Sequence, residues 1–194
     1  MGHLKLPEGR KIAVNLGVDF DAQSLWLGGF NRPSPSFMSR GEFGAEVGTP
    51  RLLALFRKHD IRMTFFTPGH TVDTFPAINR KVFDAGHEIA RHGYHHENPT
   101  PIGRDTERRL IDLAFATYQK HFGTRPTGCR SPYWDYSENT LDLIEEAGFL
   151  YDSQPDGARS GALSPAARAG APGAGQCRRP GQQGAGDPGQ LVSR

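Results

Sequence analysis

Residues 11–21 read KIAVNLGVDFD, an apolar, β-branched run that ends in two carboxylates two positions apart. It is too short for a buried helix, so it predicts an interior strand whose carboxyl end carries Asp19 and Asp21. Outward from it, Gly28 to Gly48 is rich in Gly, Pro and Ser and reads as a loop. Thr49-Pro50 then supplies an N-cap and a first-turn proline for a helix to about His59, with Leu52, Leu53, Leu55 and Phe56 on its apolar face. A second strand is expected over Ile61 to Thr67. The alternation repeats, with a helix near Phe75 to Ala85 stopped by Gly86 and a strand from His87 to about Arg91. A long helix follows over Asp105 to Phe122, with Leu110, Leu113, Ala114 and Tyr118 inward and Gly123 ending it, and then a short strand at Thr127 to Arg130. Ser137 to Ala147 predicts the last helix, with Ser137 as N-cap and Leu141, Ile144 and Ala147 inward, before a strand at Phe149 to Asp152. Strands that alternate with helices imply right-handed crossovers and a parallel sheet or barrel, with functional groups at the carboxyl ends of the strands.

The length of 194 residues suits one domain and is short for a complete large α/β barrel. The net charge of +2 comes from the end of the chain. From Pro155 onward, Arg159, Arg168, Arg178, Arg179 and Arg194 face only Asp156 and Asp187, which leaves the rest with one more acid than base. That near-neutral part offers no field for nucleic acid or anionic lipid, so a small-molecule or oligosaccharide substrate is expected, and a homo-oligomer is compatible with it. Cys129 and Cys177 lie far apart, which argues against a structural disulfide and for a reducing compartment. With charges in the first ten residues, no apolar leader segment and no membrane-span window, the expected location is cytoplasmic. Residues 155–194 are dominated by Gly, Ala, Pro, Arg and Gln without an aromatic residue, too apolar-poor to offset the entropy of ordering, so this tail is expected to be disordered. Its bias toward residues with GC-rich codons is what an out-of-frame read of a GC-rich gene would produce.

Three polar groups fall at predicted strand ends. Alternation turns Asp19 and Asp21 to the same side, where two carboxylates repel unless a cation or a proton lies between them. Alone, such a pair is an ordinary turn or cap feature. His92-Gly93-Tyr94-His95-His96, followed by Glu97, sets two imidazoles at a spacing common in zinc sites. With Asp21 they make a two-His, one-carboxylate set that leaves coordination positions open for water, as in catalytic centres, while His95 points away. Cys129-Arg130-Ser131-Pro132-Tyr133-Trp134 brings a permanently charged Arg that can hold a carboxylate in place. Its Pro stiffens a loop whose backbone N–H can face an oxyanion.

In this order the motifs VDFDAQ, GHEIARHGYHHENP, RSPYWDYSENT and GFLYDS resemble the polysaccharide deacetylase family, within it the branch of peptidoglycan deacetylase homologues and cyclic imide or allantoin hydrolases. The resemblance covers about Lys11 to Ser153. It implies an α/β fold, an incomplete polysaccharide-deacetylase-like (β/α) barrel over residues 11–153, with C-terminal strands missing and the disordered tail after it. It further implies that Asp19 is the general base and that Asp21, His92 and His96 hold a divalent metal, Zn2+ as first choice. Arg130 would hold the base and the Tyr133 N–H would face the oxyanion. The implied activity is hydrolysis of carbon–nitrogen but not peptide bonds, removing N-acetyl groups from amino sugars or opening a cyclic imide or ureide. The family's late histidine has no counterpart after His121, so Asp152 is expected to have nothing to orient and the last strand no partner. The other reading is a truncated, inactive metal-binding fragment.

Overall fold

The computed structural model describes residues 8–9, 11–12 and 14–153, with the backbone of Gly161 and Ala162. Five strands, β1 (Gly17–Asp19), β2 (Thr64–Thr67), β3 (Glu88–Arg91), β4 (Gly128–Cys129) and β5 (Tyr151–Asp152), pair parallel in chain order. The order never reverses, so every crossover advances the sheet the same way, which builds a barrel wall rather than a doubly wound sheet. The register sets Asp19 beside Phe66, Phe66 beside Ala90, Arg91 beside Cys129 and Cys129 beside Asp152. The polar residues that end each strand therefore lie on one rim.

The α-helices are α1 (Pro35–Phe43), α2 (Thr49–Lys58), α3 (Gly69–Thr74), α4 (Pro76–Asp84), α5 (Arg104–Phe122) and α6 (Thr140–Glu146). One core cluster joins Phe20, Phe56, Phe65, Val72, Val82, Ile89, Ala114 and Tyr118. A second joins Ile111, Phe115, Cys129, Leu143, Ile144 and Phe149. Helix α5 serves both clusters, because Glu107, Ile111, Ala114, Phe115, Tyr118 and Phe122 fall on one broad face at helical spacing. Among the described residues no helix is long and apolar enough to cross a membrane.

Several expectations are corrected. The first strand begins only at Gly17, and Ile12 and Val14 are 78% and 77% exposed, because among the described residues β1 is an edge strand paired with β2 alone. The expected loop at Gly28 to Gly48 is largely helical: two short π-helical turns, Leu25–Gly29 and Gly44–Gly48, flank α1. Gly28 and Gly41 serve close packing there. A Cβ on Gly41 would lie 2.6 Å from the Gln23 backbone nitrogen. Thr49 is not an N-cap, since the chain is already helical there and its hydroxyl donates to the Gly44 carbonyl at 2.9 Å. Leu113 is 41% exposed, because the α5 face is centred one position further on, at Ala114. In α6 the buried pair is Leu143 and Ile144, and Asn139 holds the cap position. Ser137 acts one turn earlier, its hydroxyl accepting the Asn139 N–H at 3.0 Å. The strand β5 does have a partner, since β6 (Gly161–Ala162) pairs with it antiparallel. Cys129 is a free buried thiol. Cys177 and the rest of the expected tail lie outside the described residues.

Phe65 is fully buried, edge-on to both Phe20 and Phe56. Phe65→Ala should cost about 3–5 kcal/mol. Leu113→Ala, on the exposed side of α5, should change stability by less than about 0.5 kcal/mol. Urea unfolding of the two variants against the parent measures both.

Candidate active site at the carboxyl ends of the strands

Asp21 follows β1, and His92 and His96 follow β3, so the parallel pairing of β1, β2 and β3 brings them to one rim. His92 Nε2 lies 3.5 Å from Asp21 Oδ1 and His96 Nε2 lies 3.7 Å from Asp21 Oδ2. All three ligand atoms fall within 4.8 Å of one another. These separations are too long for hydrogen bonds. They match donors sharing one ion, since ligands about 2.1 Å from a tetrahedral zinc stand roughly 3.4 Å apart. His92 Nδ1 bonds the Arg130 carbonyl at 2.9 Å, which turns Nε2 toward Asp21. Asp21 Oδ1 is buried without a hydrogen-bond partner, an arrangement that fits a cation. No other such cluster occurs among the described residues.

The turn between the two histidines depends on its backbone. Gly93 has φ +69°, and a Cβ there would meet Pro132 Cγ at 2.7 Å. His96 itself is left-handed at φ +61°. Such a conformation costs roughly 1–3 kcal/mol in a non-Gly residue and persists only where its surroundings hold it. Glu97 does part of that holding, its carboxylate accepting the N–H of Tyr94 at 2.9 Å and of His95 at 2.7 Å. His95 is exposed and outside the cluster.

Arg130, after β4, reaches across the interior to Asp19 at the end of β1 and donates to Asp19 Oδ1 from its Nη1. Its Cζ stands 3.9 Å from the centre of the Phe66 ring, and its Nε donates to the Ser153 hydroxyl at 2.8 Å. The guanidinium is thus held on three sides. Tyr133 is left-handed at φ +62° in the short turn Pro132–Trp134, and its phenol donates to the Gly29 carbonyl. Its ring lies 5.4 Å from that of His96. The π-helical turn Leu25–Gly29 therefore lies directly over the histidine turn, where a Cβ on Gly28 would come 2.0 Å from the His95 carbonyl oxygen. Asp152 is not idle, since the Tyr136 hydroxyl donates to its Oδ2.

Burial, reinforced by the Asp19 charge and opposed by Arg130, raises the Asp21 carboxyl to about 7. Burial, with His96 close by, drops His92 to about 3, and burial also lowers His96. Both imidazoles are then neutral near pH 7, the state a metal requires of them. Residues not read as functional from the sequence support this geometry. The Thr71 hydroxyl donates to the Asp21 carbonyl at 2.6 Å, and the Ser24 hydroxyl lies 2.7 Å from that of Thr71. Ser153 falls in GFLYDS directly after a strand, a position that could have marked it. Thr71 sits on the unanticipated α3 and carried no local signal.

Fold and site together define a (β/α) barrel-wall protein with a candidate metal centre at the rim. The polysaccharide deacetylase family profile matches residues 41–151, so the chain belongs to that family. The chain is 41% identical over 144 residues to a peptidoglycan deacetylase of Helicobacter pylori, covering 74% of this chain and 49% of the relative. It is 37% identical over 159 residues to a peptidoglycan deacetylase-like protein of Gibberella zeae, covering 79% and 47%. A Mycobacterium smegmatis crystal structure named for a polysaccharide deacetylase superposes with TM-score 0.72 at 36% identity, over 77% of this chain and 53% of that one. The Puue allantoinase structure gives 0.57 at 32%, over 61% and 39%. The chain spans about half the length of the curated relatives it matches.

Zinc binding near neutral pH should release the Asp21 proton and none from His92. Affinity should therefore rise about tenfold per pH unit below pH 7, levelling off above it. Calorimetric titrations in buffers of different ionisation enthalpy count that proton, and a pH-independent affinity between pH 5 and 7 would contradict the raised carboxyl.

Proposed function

We propose that this chain carries the active site of a divalent-metal hydrolase of non-peptide carbon–nitrogen bonds that removes N-acetyl groups from amino sugars. The observation that carries this reading is the Asp19–Arg130 pair set beside the Asp21, His92 and His96 cluster. It places one carboxylate within a fixed hydrogen bond and leaves another among ligands. A divalent cation held by Asp21, His92 and His96, zinc by its donor set, would supply Lewis-acid polarisation of the carbonyl and a more acidic water. Asp19 takes the proton of the attacking water, and Arg130 fixes the direction in which its carboxylate points. The N–H of Tyr133, in a first turn where the helical ladder does not use it, donates to the developing oxyanion, and as that collapses and the carbon–nitrogen bond breaks the leaving nitrogen takes its proton from water.

The substrate class follows the relatives, two of which, each matched over about three-quarters of this chain, are named for peptidoglycan deacetylation. A second reading, opening of a cyclic imide or ureide, is favoured by one observation. The Puue allantoinase structure superposes on this chain at 32% identity with TM-score 0.57.

His96→Ala should abolish stoichiometric zinc binding, while His95→Ala should leave it intact. Asp19→Asn should keep the metal content and lose about two to four orders of magnitude in turnover. Loss of metal from Asp19→Asn would make Asp19 a ligand and overturn the division of roles. Turnover of acetylated chito-oligomers against succinimide-type rings, with and without chelator, separates the two substrate classes. Chelator-insensitive activity would reject the metal reading for both.

A further inference from the structure

Tyr94 stands between the two candidate ligands, yet it points away from them. Its hydroxyl donates to Asp73 Oδ2 at 3.2 Å, and a Cβ on Gly69 would lie 2.4 Å from the tyrosine ring, so the ring is seated on the start of α3. The backbone continues the attachment. His70 N–H donates to the Tyr94 carbonyl at 2.8 Å and Gly69 N–H to the Gly93 carbonyl at 3.3 Å. Asp73 is in turn tied to α5, accepting from the Thr117 hydroxyl at 3.0 Å, from Lys120 Nζ at 2.9 Å and from His121 Nε2 at 2.8 Å. Burial would raise this carboxyl, but bonds from Lys120, His121 and Thr117 bring it down to about 2, so it is an ionised acceptor across the working pH range. Four donors from two segments converge on it.

From this geometry we infer that Asp73 is a positioning residue for the metal centre: through the Tyr94 hydroxyl it fastens the His92–His96 turn to α3 and α5, so that both Nε2 atoms converge on Asp21. The inference rests on the metal reading of that cluster. The turn needs such fastening because His96 is held at positive φ, a conformation the surroundings must impose. Glu97 holds the same turn from within, through the N–H groups of Tyr94 and His95. Asp73 holds it from outside, beside the backbone bonds that Gly69 and His70 give to the same turn.

The test uses the full chain and zinc alone, by competition with a chromogenic chelator, together with hydrogen exchange of the amides of residues 93–97 in the metal-free protein. Tyr94→Phe and Asp73→Asn should each weaken zinc binding about 10- to 100-fold, the usual effect of losing a partner that orients a ligand. Both should also speed exchange across the turn. The double variant should be no weaker than the weaker single one, because both changes cut the same link. Lys120→Met, which removes an exposed donor from Asp73 but leaves the Tyr94 bond, should bind zinc nearly as the parent does. A merely structural role would instead lower the unfolding midpoint in all of these variants while leaving zinc affinity where it was. Parent-like affinity in Tyr94→Phe and Asp73→Asn overturns the positioning role and leaves the metal reading standing. A parent chain that binds no zinc overturns the metal reading and this inference with it.

Discussion

The ion pair between Arg130 and Asp19 is the contact on which the arrangement of the rim depends. It spans 111 positions of sequence and joins the first strand to the fourth across the interior of the sheet. A partly buried guanidinium needs partners for its donors and a cover for its flat face. The carboxylate, the Ser153 hydroxyl and the Phe66 ring do this from β1, the end of β5 and β2. Gly17 makes room for the Phe66 ring that lies against the guanidinium, for a Cβ there would stand 3.0 Å from Phe66 Cε2. The Arg130 carbonyl meanwhile fixes the His92 ring, so one residue connects the candidate base to the candidate metal cluster.

Two carboxylates two positions apart thus have different surroundings. Asp19 has a cation at bonding distance, whereas Asp21 has two neutral imidazoles and a buried, unpartnered oxygen. The tertiary structure separates the pair by what it places opposite each one. A cation in the cluster would reverse the Asp21 shift, since a nearby positive charge favours the ionised form that burial opposes. Binding of a metal there and loss of the Asp21 proton would therefore be one coupled equilibrium.

Backbone strain gathers at the same place. Gly93, His96, Tyr133 and Trp134 all take positive φ within the two turns that follow β3 and β4. Three of the four are not glycine, so the cost is met by packing and hydrogen bonds around them: the Glu97 carboxylate, the Gly29 carbonyl and the link from Tyr94 to Asp73. These turns are the least tolerant of substitution near the site, because each conformation is imposed from outside.

The strand-and-helix alternation, the strand-end placement of Asp19, Asp21, His92, His96 and Arg130, and the motifs that mark the family were all legible in the sequence. Periodicity and turn residues act locally, and the order of strands follows from short right-handed crossovers. The helical nature of residues 35–48 was not legible, because Gly41, Gly44 and Gly48 give the stretch the composition of a loop, while Gly41 is in fact packed closely against Ala22 and Gln23. Nor was the exposure of Leu113, which depends on how α5 is rotated against two clusters at once. The family resemblance implied that Arg130 holds Asp19, whereas tertiary structure alone decided that Asp152 meets Tyr136 and that Asp73 meets Tyr94 and three residues of α5. The physical reason is the same in each case: a side-chain hydrogen bond between distant segments is specified by the position of their backbones in space, and no spacing along the chain encodes it.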